Sequence, residues 1–282
     1  MIKPTLQDDA LLADIRSTRG RATGFRLWWL GQSGYLLQYA GRHILIDPYL
    51  SDSLTHKYAS TSKPHVRMSE RVIDPARLDF IDIVTTSHNH TDHLDAETLK
   101  PLFENNRNLK FVIPEANRSF IVDRCSIDAA RPIGMSGWTS ATIEGFEFTG
   151  VPAAHNLLDV DEQGRNKYLG YVIKFGPWTI FHAGDTLFVP GNRNRLRSYQ
   201  VDVALLPING NDVARGVAGN MNPFEAAVFA KDIGCKLAVP CHYDLFAFNT
   251  ADPGDSVTQC RRVGQRHQVL SLGERFDSTA IL

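Results

Sequence analysis

Cysteine is scarce in this chain: four in 282 residues, Cys125, Cys235, Cys241 and Cys260, with no CxxC pair. That pattern speaks against a disulfide framework and suits a reducing compartment. An excess of one charge is also missing, because 30 Lys and Arg face 31 Asp and Glu for a formal net charge of −1. No global field favours nucleic acid or an anionic membrane, so neither is expected as a partner. Long hydrophobic runs are absent too. The opening MIKPTLQDDALLADIRSTRG mixes Lys3, Asp8, Asp9 and Asp14 among its apolar residues and has no stretch of signal-peptide or spanning length. A soluble, cytoplasmic protein is the expectation. No low-complexity tract, clear repeat or linker-like stretch separates a second domain. Residues 1–282 therefore read as one domain, with residues 1–22 as an N-terminal extension.

What is present is ample core material, with 43% hydrophobic and 10% aromatic residues. Residues 5–16 suit a short amphipathic helix. Three aromatic and β-branched runs follow, around residues 25–30, 34–39 and 43–47, separated by Gly-Gln-Ser-Gly and Ala-Gly-Arg as in a β-meander. Pro48 ends the third. Residues 49–77 lack periodicity and are expected to loop over the surface. Strands are expected at 81–86, 110–113, 141–154, 168–175, 178–182, 201–208 and 236–240, and helices from Asp95 and over 115–124 and 223–233. The last helix is well signposted: Asn222 can cap it, Pro223 suits its first turn, Glu225 completes a capping box and Gly234 can end it. Strand-rich segments with helices between them predict an α/β protein of two mixed sheets sandwiched between helices.

The chemical signal is Ser87-His88-Asn89-His90-Thr91-Asp92-His93, three imidazoles and a carboxylate directly after an apolar strand. On a helix His88 and His90 would point apart, so the spacing suits a strand exit whose backbone curls the ligands round a point. Such a cluster is rare by chance among ten histidines. Imidazole with carboxylate suits zinc, and also manganese or iron when oxygen ligands are added. His155, Asp185 and His242 each lie just past a predicted strand, where α/β scaffolds carry their sites. Taken singly, His155 or His242 would be an ordinary polar loop residue.

With those residues in view, His88-x-His90-x-Asp92-His93 followed by His155, Asp185 and His242 resembles the ligand motifs of metallo-β-lactamase-fold hydrolases, in their usual order. The resemblance runs from Trp28 to about Pro253 and implies an αββα sandwich. It implies one divalent ion on His88, His90 and His155, a second on Asp92, His93 and His242, and Asp185 between them. Asp47 matches the family aspartate that orients a ligand histidine. Within the family, Trp28-Trp29-Leu30-Gly31-Gln32-Ser33-Gly34-Tyr35, the segment from Val201-Asp202-Val203-Ala204-Leu205 through Arg215-Gly216, and Pro240-Cys241-His242-Tyr243-Asp244 with Ala251-Asp252-Pro253 look like the L-ascorbate-6-phosphate lactonase group. The motifs around His88 and Asp185 also resemble phospholipase D-type phosphodiesterases. Threonine often stands where this chain has Ser87. Cys241 reads as a packed thiol rather than a ligand.

The implied activity is a hydrolase that uses a hydroxide held by two Zn2+ or Mn2+ ions, iron being an option, to open a small anionic lactone resembling a phosphorylated sugar. Two such ions with Asp92, Asp185 and a hydroxide leave a weakly cationic centre, able to lower a water pKa from ~15.7 toward ~7. That centre serves carbon and phosphorus electrophiles alike, so a phosphodiesterase is the alternative. A non-catalytic metal-binding scaffold is a third reading, set against a complete ligand set, and antibiotic hydrolysis rests on the fold's name alone. Asp92, Asp185, Asp47 and Tyr243 are the catalytic candidates, Tyr243 or Asp244 as proton donor to the leaving group. Arg215 and Asn209, in a Gly- and Asn-rich loop, are the candidates for holding the substrate. Arg193, Arg195 and Arg197 read equally well as a solvated charged face. A small molecule is the expected substrate, and a homo-oligomer is compatible with all of this.

Overall fold

The computed structural model describes residues 1–21 and 23–281. Residue 22, the last of the expected extension, lies outside them. One sheet is built from β1 (Arg26–Gly31), β2 (Gly34–Tyr39), β3 (Arg42–Ile46), β4 (Ile83–Thr85), β5 (Lys110–Pro114) and β6 (Pro132–Met135) in that order. The other holds β7 (Ser140–Ile143), β8 (Phe146–Pro152), β9 (Leu169–Phe175), β10 (Trp178–His182), β11 (Val203–Pro207) and β12 (Leu237–Cys241), again in order. A short β13 (Arg275–Asp277) joins the first sheet beside β1. Both sheets are mixed. β1 to β3 form an antiparallel meander and β3 to β6 run parallel, while β7 to β10 are antiparallel and β10 to β12 parallel.

The strands read as nearly continuous apolar runs because both faces are covered. Between the sheets, Phe25 packs edge-on against Phe175 and Trp178, and Tyr35 against His182. Outside the first sheet lie α1 (Asp8–Thr18) and α3 (Ala96–Asn105). Asp14 of α1 accepts from the Trp28 indole at 2.8 Å, and Phe103 of α3 meets Phe111 of β5. Outside the second sheet lies α6 (Pro223–Ile233), whose Phe229 meets Phe181 of β10. The αββα architecture read from the sequence is the one found.

Boundaries moved where local signals were short. The loop expected over 49–77 contains α2 (Ser53–Tyr58) and a 3-10 turn at Pro75–Arg77, and buries Tyr49, Leu50, Leu54, Val72 and Ile73. A helix of six residues is too brief to show a 3.6-residue period. The stretch read as a charged face is α5 (Pro190–Arg197): Arg193 pairs with Asp232, Arg195 lies over the Trp138 ring and Arg197 donates to the Asp232 carbonyl. Helices α4 (Arg118–Cys125) and α7 (Pro253–Val263), with the capped α3 and α6, complete the set. In α6 the Asn222–Glu225 capping box and the left-handed Gly234 are formed as the sequence indicates.

Strand direction positions the site. β3 and β4 run parallel, so Asp47 and the segment 86–93 leave the first sheet at one edge. β8, β10 and β12 share a direction, so His155, Asp185 and His242 leave the second sheet together. The two edges are tied by Leu169 N–H to the Ser87 carbonyl at 3.0 Å, the Tyr171 hydroxyl to the Thr86 carbonyl at 2.9 Å, and His242 N–H to the Gln32 carbonyl at 2.9 Å.

Candidate metal centre

The segment after β4 turns sharply. Thr86 Oγ1 donates to the His88 carbonyl at 2.7 Å, and the His93 and Leu94 amides donate back to the His90 carbonyl. Asp95 then caps α3, accepting from Thr98 N at 3.0 Å, and ends the turn. The curl brings His88, His90 and His93 side by side, His88 ring centroids lying 4.7 Å from His90 and 4.2 Å from His93.

Three sets of donors fall together, each with its atoms within 4.8 Å of one another: His88, His90 and His155; His88, His93 and Asp185; Asp92, His93 and His242. Asp185 lies among them, with Oδ1 at 3.3 Å from His93 Nε2 and Oδ2 at 3.2 Å from His242 Nε2 and 3.6 Å from His155 Nε2. All seven residues singled out for metal in the sequence are brought to one place.

Hydrogen bonds set the tautomers. His93 Nδ1 donates to Asp47 Oδ2 at 2.7 Å, and His155 Nδ1 to the Gly219 carbonyl at 2.8 Å. The Ser87 hydroxyl donates to Asp47 Oδ2 and takes the His88 Nδ1 proton at 3.0 Å. Each of these imidazoles spends its proton on Nδ1 and turns the Nε2 lone pair toward the others. His88 Nε2, His93 Nε2 and Asp185 Oδ1 are buried with no hydrogen-bond partner. Orphaned buried polar atoms are costly, and three facing one another fit a cation between them.

Electrostatics agree. Burial, with the neighbouring imidazoles, holds His88 well below the usual histidine range, and burial lowers His90 and His155 as well, so these are neutral donors. Burial works against the Asp185 carboxylate, yet the charges of His242 and His93 outweigh it and hold the carboxyl well below its usual range. Burial opposes a charge on His93, and Asp185 and Asp92 outweigh it and raise His93 well above the usual range, so the carboxylates draw positive charge to its Nε2, the place a bound cation would take instead of a proton.

The site opens into a cavity of ≈ 570 Å³. His90, Asp92, His155, Asp185 and His242 reach it, with Tyr168, Lys57, Arg124 and the rings of Tyr58, His65 and Phe246 among the other walls. Several sequence candidates are not brought there. Tyr243 is buried with its ring 4.3 Å from that of Trp29, and its hydroxyl donates to the Leu270 carbonyl at 2.5 Å. It is a packing residue, because the chain passes His242 in a left-handed turn with φ 64° that sends the next side chain away. Asp244, also at positive φ, is missing from the cavity lining. Asn209 spends its amide on Asn249 and Asn220, and Arg215 donates to Asn249 and the Gly210 carbonyl, so both tie their loop together and to Asn249, and neither lines the cavity. Asp47 touches His93 and Ser87 without lining the cavity, which makes it a positioning residue. Cys241 is buried against Ser33 and belongs to none of the donor sets.

Two contributors escaped the sequence reading. Gln32, in the Gly-Gln-Ser-Gly turn at φ 51°, places Nε2 at 2.8 Å from Asp92 Oδ2 and 3.1 Å from His242 Nε2. Ser87 looked interchangeable with threonine, and its hydroxyl links His88 to Asp47, a task that either alcohol can perform. Polar residues between two glycines were the available signal for Gln32.

Residues 26–242 match the family model described as the beta-lactamase superfamily domain. A UPF0173 metal-dependent hydrolase of Methanobrevibacter smithii is 31% identical over 257 residues, covering 88% of this chain and 95% of its own length. A UPF0173 metal-dependent hydrolase of Rubrobacter xylanophilus is 28% identical over 263 residues, covering 90% and 97%. Among solved structures, a possible metal-dependent hydrolase from Veillonella parvula superposes with a TM-score of 0.72 over 90% of this chain and 99% of that one, at 14% identity.

Proposed function

The chain belongs to the beta-lactamase superfamily and is a metal-dependent hydrolase, and from that premise we propose that it holds two divalent ions and opens a small anionic lactone. The observation that carries this reading is the set of orphaned donors, His88 Nε2, His93 Nε2 and Asp185 Oδ1, facing one another between two three-residue groups. His88, His90 and His155 would hold one ion, and Asp92, His93 and His242 the other. Asp185, within 3.6 Å of three imidazoles from both groups, would be shared between them. Zn2+ or Mn2+ suits this donor chemistry, with iron as a further option.

Ions in such a site lower the pKa of bound water toward neutrality and polarise a carbonyl or phosphoryl oxygen. The chain's own groups do the rest. Asp47 and Ser87 orient His93 and His88, and Gln32 steadies the Asp92 carboxylate by donating to it. The cavity walls bind the substrate and exclude water. With Tyr243 and Asp244 outside the cavity, Tyr58, His65, Thr91 and Tyr168 are the cavity-lining side chains outside the donor set that carry an exchangeable proton on a ring nitrogen or hydroxyl. Burial keeps the Tyr168 proton in place by raising its pKa.

The lactone assignment rests on the resemblance of the Trp28–Tyr35 and Pro240–Asp244 stretches and is tested directly. Purified protein loaded with Zn2+ or Mn2+ is assayed against lactones, cyclic phosphates and bis-aryl phosphodiesters while metal per chain is measured. Two ions per chain with turnover of anionic lactones is the expected result. Turnover of phosphodiesters alone would replace the lactone by a phosphorus electrophile.

A further inference from the structure

With Arg215 turned away, the cavity's cationic recognition group must be found elsewhere, and we infer that Arg124 binds an oxyanion of the substrate, a carboxylate or a phosphate. This deepens the hydrolase reading above and rests on it. Arg124 sits on α4, outside the donor set, and lines the same cavity as Asp92 and Asp185.

Its guanidinium is held in place from one side only. Nη1 donates at 3.2 Å to the Asn89 carbonyl, to Thr91 Oγ1 and to the Leu94 carbonyl, all on the segment that carries His90 and Asp92. The Phe120 ring lies 4.6 Å from its central carbon. Nε and Nη2 make no hydrogen bond to any described residue, and no described carboxylate comes within 4 Å of the group. A half-buried guanidinium with neutral acceptors on one nitrogen is left with a preset pair of free donors. That fork matches the paired oxygens of a carboxylate or phosphate.

The other cation on the wall is less committed. Lys57 is exposed, its ammonium 5.0 Å from the Tyr58 ring, and a flexible stem must be ordered before it can bind. Arg124 needs no such ordering. Because it grips the segment that carries His90 and Asp92, an anion docked on it is held in a fixed relation to those two residues.

The test uses three γ-lactones that differ in one substituent: hydroxymethyl, carboxylate and phosphoryloxymethyl. Both kcat/KM and the calorimetric Kd are measured for metal-loaded native protein, Arg124→Gln and Arg124→Lys, with metal per chain determined for each. Native protein should favour at least one anionic lactone over the neutral one by about tenfold or more, the scale of a charge-assisted pair. Arg124→Gln should bring that ratio to within about twofold of unity, the anionic lactones losing more than the neutral one, and Arg124→Lys should keep part of the preference. The preferred substituent tells carboxylate from phosphate. An unchanged ratio in Arg124→Gln, or no preference in native protein, overturns the assignment. So does an equal loss on neutral and anionic lactones with lowered metal content, which marks Arg124 as a clamp for the segment alone. If no lactone is hydrolysed, the lactonase reading falls, and Arg124 is then judged by the Kd ratios, which do not depend on turnover.

Discussion

Asp185 contacts imidazoles from both donor groups, so in the proposed two-ion centre its loss would separate the two halves. Asp185→Asn keeps the shape and removes the charge. It should lower kcat by about a thousandfold or more and take metal per chain below two, the scale on which losing a group that acts only as part of a unit is felt. Near-normal turnover in that variant would sink the two-ion mechanism. Asp47 acts at one remove, through His93. Its replacement by Asn should weaken metal affinity by about 10–100-fold, measured by competition with a chromogenic chelator, and leave the fold intact. His43 makes a separate prediction, far from the metal segment. It is buried beside Gln38, Asp82 and the Phe80 ring, and burial lowers it from 6.5 to about 4. The unfolded chain takes up a proton below pH 6.5 that the folded chain refuses until about pH 4. Stability is therefore full above 6.5 and falls as the pH drops through that window, by at most about 3 kcal/mol. Urea midpoints at pH 7 and pH 4.5 should converge when His43 is replaced by Gln; an unchanged pH slope would remove His43 from the account.

Among the elements, two glycine and cap positions separate stability from site geometry. Gly184, at φ 62°, lies between β10 and Asp185, and an added Cβ would meet the Leu169 carbonyl and the Ser87 Cβ, both at 2.8 Å. Gly184→Ala should cost about 1–3 kcal/mol in a chemical denaturation curve. It should also weaken metal binding, since relief requires parting the strand end that carries Asp185 from the segment that carries His88. Asn222 supports only α6. Asn222→Ala should remove about 1 kcal/mol of stability and leave metal content and turnover as they were. If both variants lowered metal affinity equally, the coupling assigned to Gly184 would be general destabilisation. The same contrast explains legibility. The α6 cap lies within four consecutive residues and is readable in sequence. The short α2, the helix α5 and the edge strand β13 exist because distant partners cover them: Leu54 packs with Phe246, Arg193 with Asp232, and β13 with β1.

For the whole molecule, the metal centre is also a seam between two sheets. Chelation should leave the buried donors unpaired across that seam and lower Tm, with Zn2+ or Mn2+ restoring it. An ion at a thousandfold excess over its Kd contributes about 4 kcal/mol. A Tm unmoved by chelator in protein shown to have lost its metal would mean that the seam is held by its hydrogen bonds alone. The sequence by itself determined the sandwich and singled out the seven residues that the fold brings together. Strand periodicity is local, and the ligands after β4 are neighbours in the chain whose spacing admits few other uses. The route by which His155, Asp185 and His242 arrive is set by strand direction, and that too follows once the strands are ordered. Only the tertiary structure decided which side chains turn into the cavity. One left-handed residue at His242 removes Tyr243, hydrogen bonds to Asn249 hold Asn209 and Arg215 away, and Arg124 enters from a helix that carried no motif. A side chain's direction depends on backbone torsions and on partners far along the chain, and neither is written in the spacing of residues.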